Sequence, residues 1–340
     1  MLTPPPDFST GLLTAALHEM WGVEVAQIDY SPVGFGSHHW SVVDASGQRW
    51  FATLDDYAGD GASIGASVAS VGRGAVLSSA YRSARALADA GLEFVVAPTP
   101  ARDGSVPFEL TRHRWLSVTP WLDAEHLPAP EAQSAEQRRA VVEVIARIHA
   151  ATRHVVGIAV ADDLALPQRA VLDRALAGAV QPGAGPYGER ARAALAQQAL
   201  AVRSALTSWE EAARRAYDSR ESWVVTHGEP HWRNVLAGAG GLHVVDWDTA
   251  LLGPPARDLW HVAGADGAAA EAVLDDYVEL TGRAVTLDDL AAQSLRWDLT
   301  EVALYVAWFS RPHADDADGE VAWGGFTESL SSLAAPPEGA

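Results

Sequence analysis

The segment that decides the fold reads VTHGEPHWRNVL at residues 225–236 and LHVVDWD at residues 242–248. Each stretch begins with a short apolar run. Together they form a non-helical island in a part of the chain whose apolar residues otherwise have helical spacing. The island carries a carboxylate at Glu229, an amide five residues later at Asn234, and a second carboxylate at Asp246 where the last apolar run ends. One hairpin-like unit therefore presents three hard oxygen groups.

This set of side chains suits phosphoryl transfer. The reaction needs Mg²⁺ held against the phosphates, a carboxylate at the attacking hydroxyl, and alignment of the two reactants. Magnesium prefers oxygen ligands and usually takes one or two carboxylates from the protein. The island supplies that set, so we expect it to hold a metal–nucleotide site.

A zinc site is the alternative suggested by His227 and His231, which lie four residues apart. On a helix this spacing would place both rings on one face, but Pro230 between them argues against a helix. The chain has no Cys, and no third soft ligand lies nearby. We therefore expect no zinc here.

Charge and composition limit the partners. The 340 residues carry a formal net charge of −20, which disfavours nucleic acid because its binding relies on Lys and Arg. The acidity suits a cationic ligand, although solubility alone also explains it. Residues 1–11 lack the features of a signal peptide, and no apolar run is long enough to span a bilayer. We expect a cytoplasmic protein with a small-molecule partner and no membrane partner.

The order of the predicted elements indicates an α+β protein of two lobes. An amphipathic helix is predicted at Phe8–Trp21, and Gly59–Gly74 is predicted to be a loop. Strands are predicted at Ala26–Pro32, His39–Asp44, Trp50–Leu54, Phe94–Ala97, Pro107–Arg112 and Trp115–Pro120. Helices are predicted at Val76–Ala90, Glu131–Ala151, Ala170–Ala177, Arg190–Asp218, Ala268–Thr281 and Leu287–Phe309. We expect a nucleotide-binding lobe at residues 1–119, a helical lobe at 120–333 with the catalytic loop and substrate site, and a frayed tail at 334–340.

The island resembles the catalytic loop of the aminoglycoside phosphotransferases and related small-molecule kinases, whose pattern is His-Gly-Asp-x-His-x-x-Asn followed by Asp-Trp. The matching positions are His227, Gly228, His231, Asn234, Asp246 and Trp247. Residues 252–255, 257–259 and 148–152 resemble neighbouring segments of that family. The resemblance implies a protein-kinase-like fold with an antiparallel N-terminal β lobe, one main helix in that lobe, and a larger helical C-terminal lobe.

The resemblance also implies roles for single residues. Glu229 stands where the family has its catalytic-base Asp, and Asn234 and Asp246 match the two metal ligands. Asp258 matches a buried carboxylate that braces the loop, and His227 is a further catalytic-loop residue whose ring we expect hydrogen bonds to hold. The implied cofactors are Mg²⁺ and a phosphate donor, ATP or GTP.

The phosphate clamp departs from the family pattern. The third strand normally carries a Lys paired with a Glu on the next helix, but Thr53 stands at the Lys position and residues 60–88 contain no Glu. Arg82, before Arg85, is our expected replacement, although a solvated helix face explains both equally well. Further expected nucleotide contacts are Gly34, Gly36, Ser37, His38 and His39 in the first glycine turn, with Thr119 and Trp121.

The acceptor is expected between the catalytic loop and the C-terminal helices. Candidate acceptor contacts are Asp248, Trp297, Asp298, Glu301 and Tyr305, although ordinary packing also explains the aromatic members. The favoured function is phosphorylation of a hydroxyl on an antibiotic of aminoglycoside, aminocyclitol or nucleoside type, or on a sugar-like metabolite. The alternative is a regulatory pseudokinase, motivated by the missing Lys.

Overall fold

The computed structural model describes residues 1–5, 7–34, 36–56, 72–178, 185–264 and 267–335. The strands are β1 (Val25–Ser31), β2 (His38–Asp44), β3 (Arg49–Asp56), β4 (Phe108–Thr111), β5 (Arg114–Pro120), β6 (Ala124–His126), β7 (Val224–Thr226), β8 (Val235–Gly238), β9 (Gly241–Val244) and β10 (Leu251–Gly253). The helices are α1 (Thr10–Ala16), α2 (Arg73–Asp89), α3 (Ala135–Ala150), α4 (Arg169–Leu176), α5 (Gly188–Gln197), α6 (Ala199–Asp218), α7 (Ala256–Ala263), α8 (Gly267–Thr281), α9 (Leu287–Phe309) and α10 (Ala317–Ala334).

The N-terminal half forms an antiparallel sheet with strand order β1-β2-β3-β5-β4. Strand alternation puts Ala52 and Leu54 of β3 into the core under α1, together with Trp40. Thr53 and Asp55 therefore lie on the opposite face of β3 from this core. A π-helical turn, Leu17–Trp21, extends α1 and ends at Gly22, whose φ of 72° suits glycine.

The C-terminal half is mainly helical, with α9 at its centre. This helix is buried along most of its length, and α4, α5, α6 and α10 pack against it in one apolar cluster. A second cluster joins α3, α7 and α8. The mixed α+β class with an antiparallel N-terminal sheet is therefore confirmed, and no helix among the described ranges is long and apolar enough to cross a membrane.

The non-helical island in this half is built as predicted from the two short apolar runs. Its first run forms β7, which pairs with β10, and its second lies in β9, which pairs with β8 in a hairpin. β6 adds to the other side of β8. The polar residues between β7 and β8, and those after β9, thus lie in loops fixed at both ends by strands.

Several predicted elements differ from the observed ones. Phe94–Ala97 was predicted as a strand of the first lobe, but the segment makes an isolated bridge from Val95 to Val244 of the β8–β9 hairpin. The predicted helix Arg190–Asp218 is two helices that meet at Gln198, and α7 and α10 were not predicted. α2 begins at Arg73, inside the predicted loop Gly59–Gly74, most of which is outside the described residues. Ala334 of the predicted tail ends α10, and the last five residues are not described.

Candidate active site

The loop after β7 is held by close approach of backbone to side chains. Gly228 has a φ of 102°, and a Cβ at this position would overlap the guanidinium of Arg257. His261 of α7 donates from Nε2 to the Gly228 carbonyl at 2.9 Å. Arg257 donates to the Thr226 hydroxyl at 2.8 Å and to the Thr249 carbonyl at 2.9 Å. Arg257 and His261 of α7 therefore hold the loop in place.

Asp258 is the centre of this support. Its fully buried carboxylate accepts hydrogen bonds from the backbone N–H of His227 at 2.9 Å and of Gly228 at 2.7 Å, and from Nε2 of His149 at 3.1 Å. Burial alone would disfavour the ionised form, but the bond from His149 and the charge of Arg257 outweigh it and hold the pKa of Asp258 below its usual value. A stable anion thus braces the loop.

The ring of His227 is a fixed, neutral part of the loop. Its Nε2 donates to the Val245 carbonyl at 2.8 Å, so Nδ1 is free to accept the backbone N–H of Glu229 at 3.2 Å. Burial lowers the pKa of His227 to about 4. The ring packs against Trp247, with 4.7 Å between centroids. These contacts suit positioning of the loop rather than proton transfer.

Asn234 is oriented by the same loop. Its side-chain nitrogen donates to the Glu229 carbonyl at 3.0 Å, which leaves the side-chain oxygen as the available acceptor. Its own carbonyl accepts the Val245 N–H at 3.0 Å and so ties the end of the loop to the residue before Asp246. Asn234 and Asp246 are therefore brought together across the β8–β9 hairpin.

Asp246 has a left-handed backbone, with a φ of 65°. Asp tolerates this region better than most residues do, and such conformations are concentrated at functional sites. The side chain of Asp246 is exposed, whereas the following Trp247 is buried and donates from its indole to the Val244 carbonyl at 3.0 Å. The anchored Trp thus turns the Asp246 carboxylate outward.

Five carboxylates influence one another around this point. Burial, followed by the charges of Asp246 and Glu301, raises the pKa of Glu229 to about 8 despite the opposing charge of Arg257. Burial and the charges of Asp246, Glu229 and Asp55 raise the pKa of Asp248 well above its usual value. The concentration of negative charge favours a bound cation.

The chemistry of these donors fits Mg²⁺. Asn234 and Asp246 present one amide oxygen and one carboxylate, and Mg²⁺ commonly binds through one or two carboxylates together with phosphates and waters. Among the described residues, no group of three or more His, Cys, Asp or Glu side chains is arranged to hold a metal ion.

Asp55 on β3 connects the N-terminal sheet to this region. Its buried carboxylate accepts the Ser37 hydroxyl at 2.7 Å and the Tyr81 hydroxyl of α2 at 3.2 Å. Burial, and to a smaller extent the charge of Asp246, raises the pKa of Asp55 to about 7. A hydrogen bond from Tyr81 to an acid thus joins the third strand to the next helix, where related kinases have a Lys–Glu pair.

The first glycine turn is anchored to the same strand. Gly34 and Gly36 have φ values of 69° and 107°, and Ser37 reaches Asp55 as described. Nδ1 of His39 lies 3.1 Å from the Thr53 hydroxyl, and burial lowers the pKa of His39 to about 3. Burial also lowers the pKa of His38, which lies 3.1 Å from the Tyr30 hydroxyl. The neutral ring of His39, on the face of Thr53, offers a hydrogen bond to a phosphate but no positive charge. His38 pairs with the core residue Leu54 and so lies on the opposite face of the sheet, away from the expected nucleotide contacts.

The proposed arginine clamp lacks support in the geometry. Arg82 is exposed, and Arg85 pairs with Asp89 at 2.6 Å. The residue of α2 that contacts β3 at this level is Tyr81, because helical periodicity turns Arg82 about 100° away from it. Tyr81, and neither Arg82 nor Arg85, makes the contact of α2 with β3, and the arginine clamp stays a prediction.

Aromatic side chains line the other end of the same sheet face. The ring of Phe51 stacks on His39 with 5.1 Å between centroids and lies 6.2 Å from the ring of Trp121. The Arg49 guanidinium lies 4.0 Å from the Trp121 ring, and Thr119 pairs with Phe51 across the β3–β5 ladder. Thr119 and Trp121 thus border an apolar surface that suits a nucleobase.

A cavity of about 60 Å³ lies beside Glu229 on the side of α9. Trp297 lines it together with Trp260, Thr300, Gln293, Arg257 and Arg296. Both guanidinium ends of Arg296 donate to the buried Asp162, at 2.5 and 2.8 Å. The cavity borders the candidate base Glu229 directly.

The comparisons with known proteins agree with this geometry. Residues 69–295 match the sequence profile of the phosphotransferase enzyme family. The chain belongs to this family. Protein StrN of Streptomyces griseus is 30% identical over 274 residues, which cover 77% of this chain and 78% of StrN.

Solved structures share the fold of this phosphotransferase. The spectinomycin phosphotransferase APH(9)-Ia, in complex with ADP and spectinomycin, aligns with a TM-score of 0.69 at 15% identity, covering 97% of this chain and 99% of that one. Choline kinase LicA from Streptococcus pneumoniae aligns with a TM-score of 0.59 at 13% identity, covering 95% and 99%. The kinase-like architecture is therefore shown, whereas such identities leave the substrate open.

The residues predicted to contact the acceptor lie in different parts of the structure. Trp297 lines the cavity, and Asp248 lies with the carboxylates at Asp246. Asp298 instead accepts the Ser332 hydroxyl of α10 at 2.6 Å. Tyr305 is a buried member of the α9–α10 core, and Glu301 is buried beside it. Among the described residues, the Oε1 atom of Glu301 has no hydrogen-bond partner.

Sequence reasoning missed most of the acceptor cavity. Trp260 lies on the unpredicted helix α7, and Arg296 precedes Trp297 in the sequence. A signal existed for Arg296, since a cation on the buried side of a predicted helix needs an acid. The partner, Asp162, is distant in sequence and carries no motif, so only the folded chain identifies it.

Proposed function

We propose that the phosphotransferase moves the γ-phosphate of ATP or GTP to a hydroxyl of a small molecule, which is an antibiotic of aminoglycoside, aminocyclitol or nucleoside type or a related sugar-like metabolite. The observation that carries this is the convergence of Glu229 and Asn234, in the loop braced by Asp258, with Asp246 after β9. The match to the phosphotransferase enzyme family and the fold shared with the spectinomycin phosphotransferase support this reaction class.

In this reaction the acceptor oxygen forms a bond to the γ-phosphorus while the bond from that phosphorus to the β–γ bridging oxygen breaks. The nucleoside diphosphate leaves, and the acceptor's proton passes to Glu229. Bound Mg²⁺ supplies charge neutralisation at the phosphates. Asn234 and Asp246 would hold it. Burial and the charges of Asp246 and Glu301 raise the pKa of Glu229 to about 8, so neutralisation of Asp246 by the bound metal, together with Arg257, would favour the ionised form that accepts the proton.

Glu229→Gln tests the proposed base. We expect turnover to fall by about 10²-fold or more, because the amide cannot accept the proton, while Mg²⁺–nucleotide affinity stays within about twofold. The assay is nucleotide-dependent phosphorylation across a panel of antibiotics and sugar-like compounds, followed by mass spectrometry of the product. Near-normal turnover of the variant would reject Glu229 as the base.

One observation favours a second function. Thr53 stands where the family has its Lys, and Asp55 bonds to Tyr81 instead of a Glu pairing with that Lys. A protein that binds nucleotide without transferring phosphate would be a regulatory pseudokinase. Nucleotide binding by calorimetry, with no product from any compound of the panel, would favour this reading.

A further inference from the structure

The cavity beside Glu229 has an aromatic wall made by two helices. The ring centroids of Trp260 on α7 and Trp297 on α9 lie 5.7 Å apart at 51°, and both side chains remain partly exposed. The ring of His261 packs between them, 3.9 Å from Trp260 and 5.4 Å from Trp297. The rings are thus fixed against each other, and their free surface offers a flat apolar contact.

The floor of the cavity offers hydrogen-bond donors. Arg296 is neutralised by Asp162 in a buried ion pair, so it adds no net charge. Arg257 uses two of its five N–H groups on Thr226 and Thr249, which leaves donor capacity toward the cavity. Gln293 and Thr300 complete the lining with uncharged polar groups. Oxygen acceptors of a ligand would be satisfied here.

A positively charged group of a ligand would lack favourable electrostatic contacts in the same place. The Arg257 guanidinium lines the floor and, unlike that of Arg296, donates to a hydroxyl and a carbonyl rather than to a carboxylate. Like charges at short distance repel strongly in a poorly solvated site. Glu229 is the one carboxylate among the lining residues, and the proposed reaction uses it for the acceptor hydroxyl. An ammonium group entering the cavity would therefore be repelled by Arg257 and would compete with the reacting hydroxyl for Glu229.

We propose that the cavity binds one edge of a hydroxyl-rich ring, neutral or anionic, whose apolar face stacks on Trp297 and Trp260. The inference rests on the proposed function, because Glu229 is what makes this cavity the place of the reacting hydroxyl. A volume of about 60 Å³ admits one edge of a ring and leaves the remainder of the acceptor outside. Any cationic group of the acceptor then lies on an edge that stays outside the cavity.

The test compares three sugars that share one ring: glucose, glucosamine and glucuronate. Binding to the full chain is measured by ligand-observed NMR without nucleotide, at about pH 6.5 so that the amine is protonated. We expect glucose and glucuronate to bind and glucosamine to bind about tenfold more weakly. Equal or tighter binding of glucosamine overturns the proposal, as does absence of binding by all three.

Variants locate the binding in the cavity. Trp297→Ala should weaken glucose binding by about tenfold through lost apolar contact, whereas Trp50→Ala, in the N-terminal sheet, should leave it unchanged. Trp297→Phe should retain most of the affinity and keeps the test valid where the Ala variant does not fold. Thr300→Asp adds an acid to the lining and should reverse the preference toward glucosamine. Equal effects of the Trp297 and Trp50 changes, or an unchanged preference in Thr300→Asp, contradict the proposal.

The outcome is separable from that of the proposed kinase activity. Sugar binding is measured without nucleotide, so it does not require phosphoryl transfer. Binding in the expected order with no product from any nucleotide would keep the cavity assignment and reject the reaction. Phosphorylation of a compound whose affinity is the same in Trp297→Ala as in the unaltered protein would keep the reaction and reject the cavity assignment.

Discussion

At the scale of single residues, Asp258 shows how one side chain fixes a loop of reactive groups. Its carboxylate accepts hydrogen bonds from two consecutive backbone N–H groups and from the His149 ring. Because the site is fully buried, water cannot replace the carboxylate as the partner of these donors. The catalytic groups themselves do not touch it. Its effect on Glu229 and Asn234 is therefore one of position.

We expect Asp258→Asn to lower the free energy of unfolding by about 3 kcal/mol, because the amide nitrogen would face one of the donors. Denaturant unfolding followed by fluorescence measures this change. Asp275→Asn, at an exposed position of α8, is the matched control and should change stability little. Equal stabilities of the two variants would contradict the bracing role.

Residue identity and spacing predicted the reactive loop because its chemistry is local. Asn234 lies five positions after Glu229, and a hairpin brings Asp246 back to both. The Tyr81–Asp55 hydrogen bond and the Arg296–Asp162 ion pair join residues that are remote in sequence, so sequence spacing does not predict them. The sequence placed Thr53 at the Lys position and predicted Arg82 as the replacement, because spacing alone does not show which way a helix faces.

At the scale of elements, the contact of β3 with α2 differs in charge from that of related kinases. An acid on the strand accepts from a tyrosine on the helix, and the nearby Asp246 adds a second negative charge. The site consequently presents acids where a Lys would help to hold phosphate. We therefore expect nucleotide binding to depend more strongly on the metal.

Asp55 gives this contact a pH dependence. Its folded pKa of about 7 lies above its usual value of 3.8, so between these values the folded chain keeps a proton that the unfolded chain releases. The contribution of Asp55 to stability is therefore lost as pH rises from about 4 to 7. We expect the melting temperature of Asp55→Asn, relative to the unaltered protein, to rise across this window in metal-free buffer. A difference independent of pH would contradict the shift.

Helix α2 supplies a negative prediction. Because Arg82 is exposed, Arg82→Ala should change the nucleotide KM and kcat no more than Arg203→Ala does on α6. Steady-state kinetics with saturating acceptor compare the two variants. A specific rise in KM for Arg82→Ala would restore the arginine clamp.

Helix α10 shows why one element escaped prediction. Its sequence contains Gly324 and Gly325, and glycine weakens a helix by roughly 1 kcal/mol relative to alanine. A Cβ at Gly325 would overlap Tyr305 of α9, so the residue that lowers helix propensity is required for packing. Tertiary contact with α9 stabilises what the local sequence disfavours.

At the scale of the whole molecule, a chain of net charge −20 gathers several of its acids around one cleft. Like charges there cost stability in the absence of a cation. Binding of Mg²⁺ with nucleotide should therefore stabilise the entire fold, by about 2.7 kcal/mol at a ligand concentration of 100 times Kd.

Asp246→Asn should remove the Mg²⁺-dependent part of this stabilisation. The variant itself should melt at the same temperature or higher, because it loses a repulsive charge and Asn tolerates a left-handed backbone. Thermal melts with nucleotide, with and without Mg²⁺, measure both effects. A Mg²⁺-dependent shift that persists in the variant would remove Asp246 from the metal site.

The two walls of the acceptor cavity come from α7 and α9, whereas the proposed base and metal ligands belong to the loops around β8 and β9. Recognition and chemistry are therefore encoded in different stretches of the gene. Substitutions at Trp260, Trp297 and Thr300, in evolution or in laboratory selection, can change which compounds bind while the proposed base and metal ligands stay the same. Gly228, pressed against Arg257, has no such freedom.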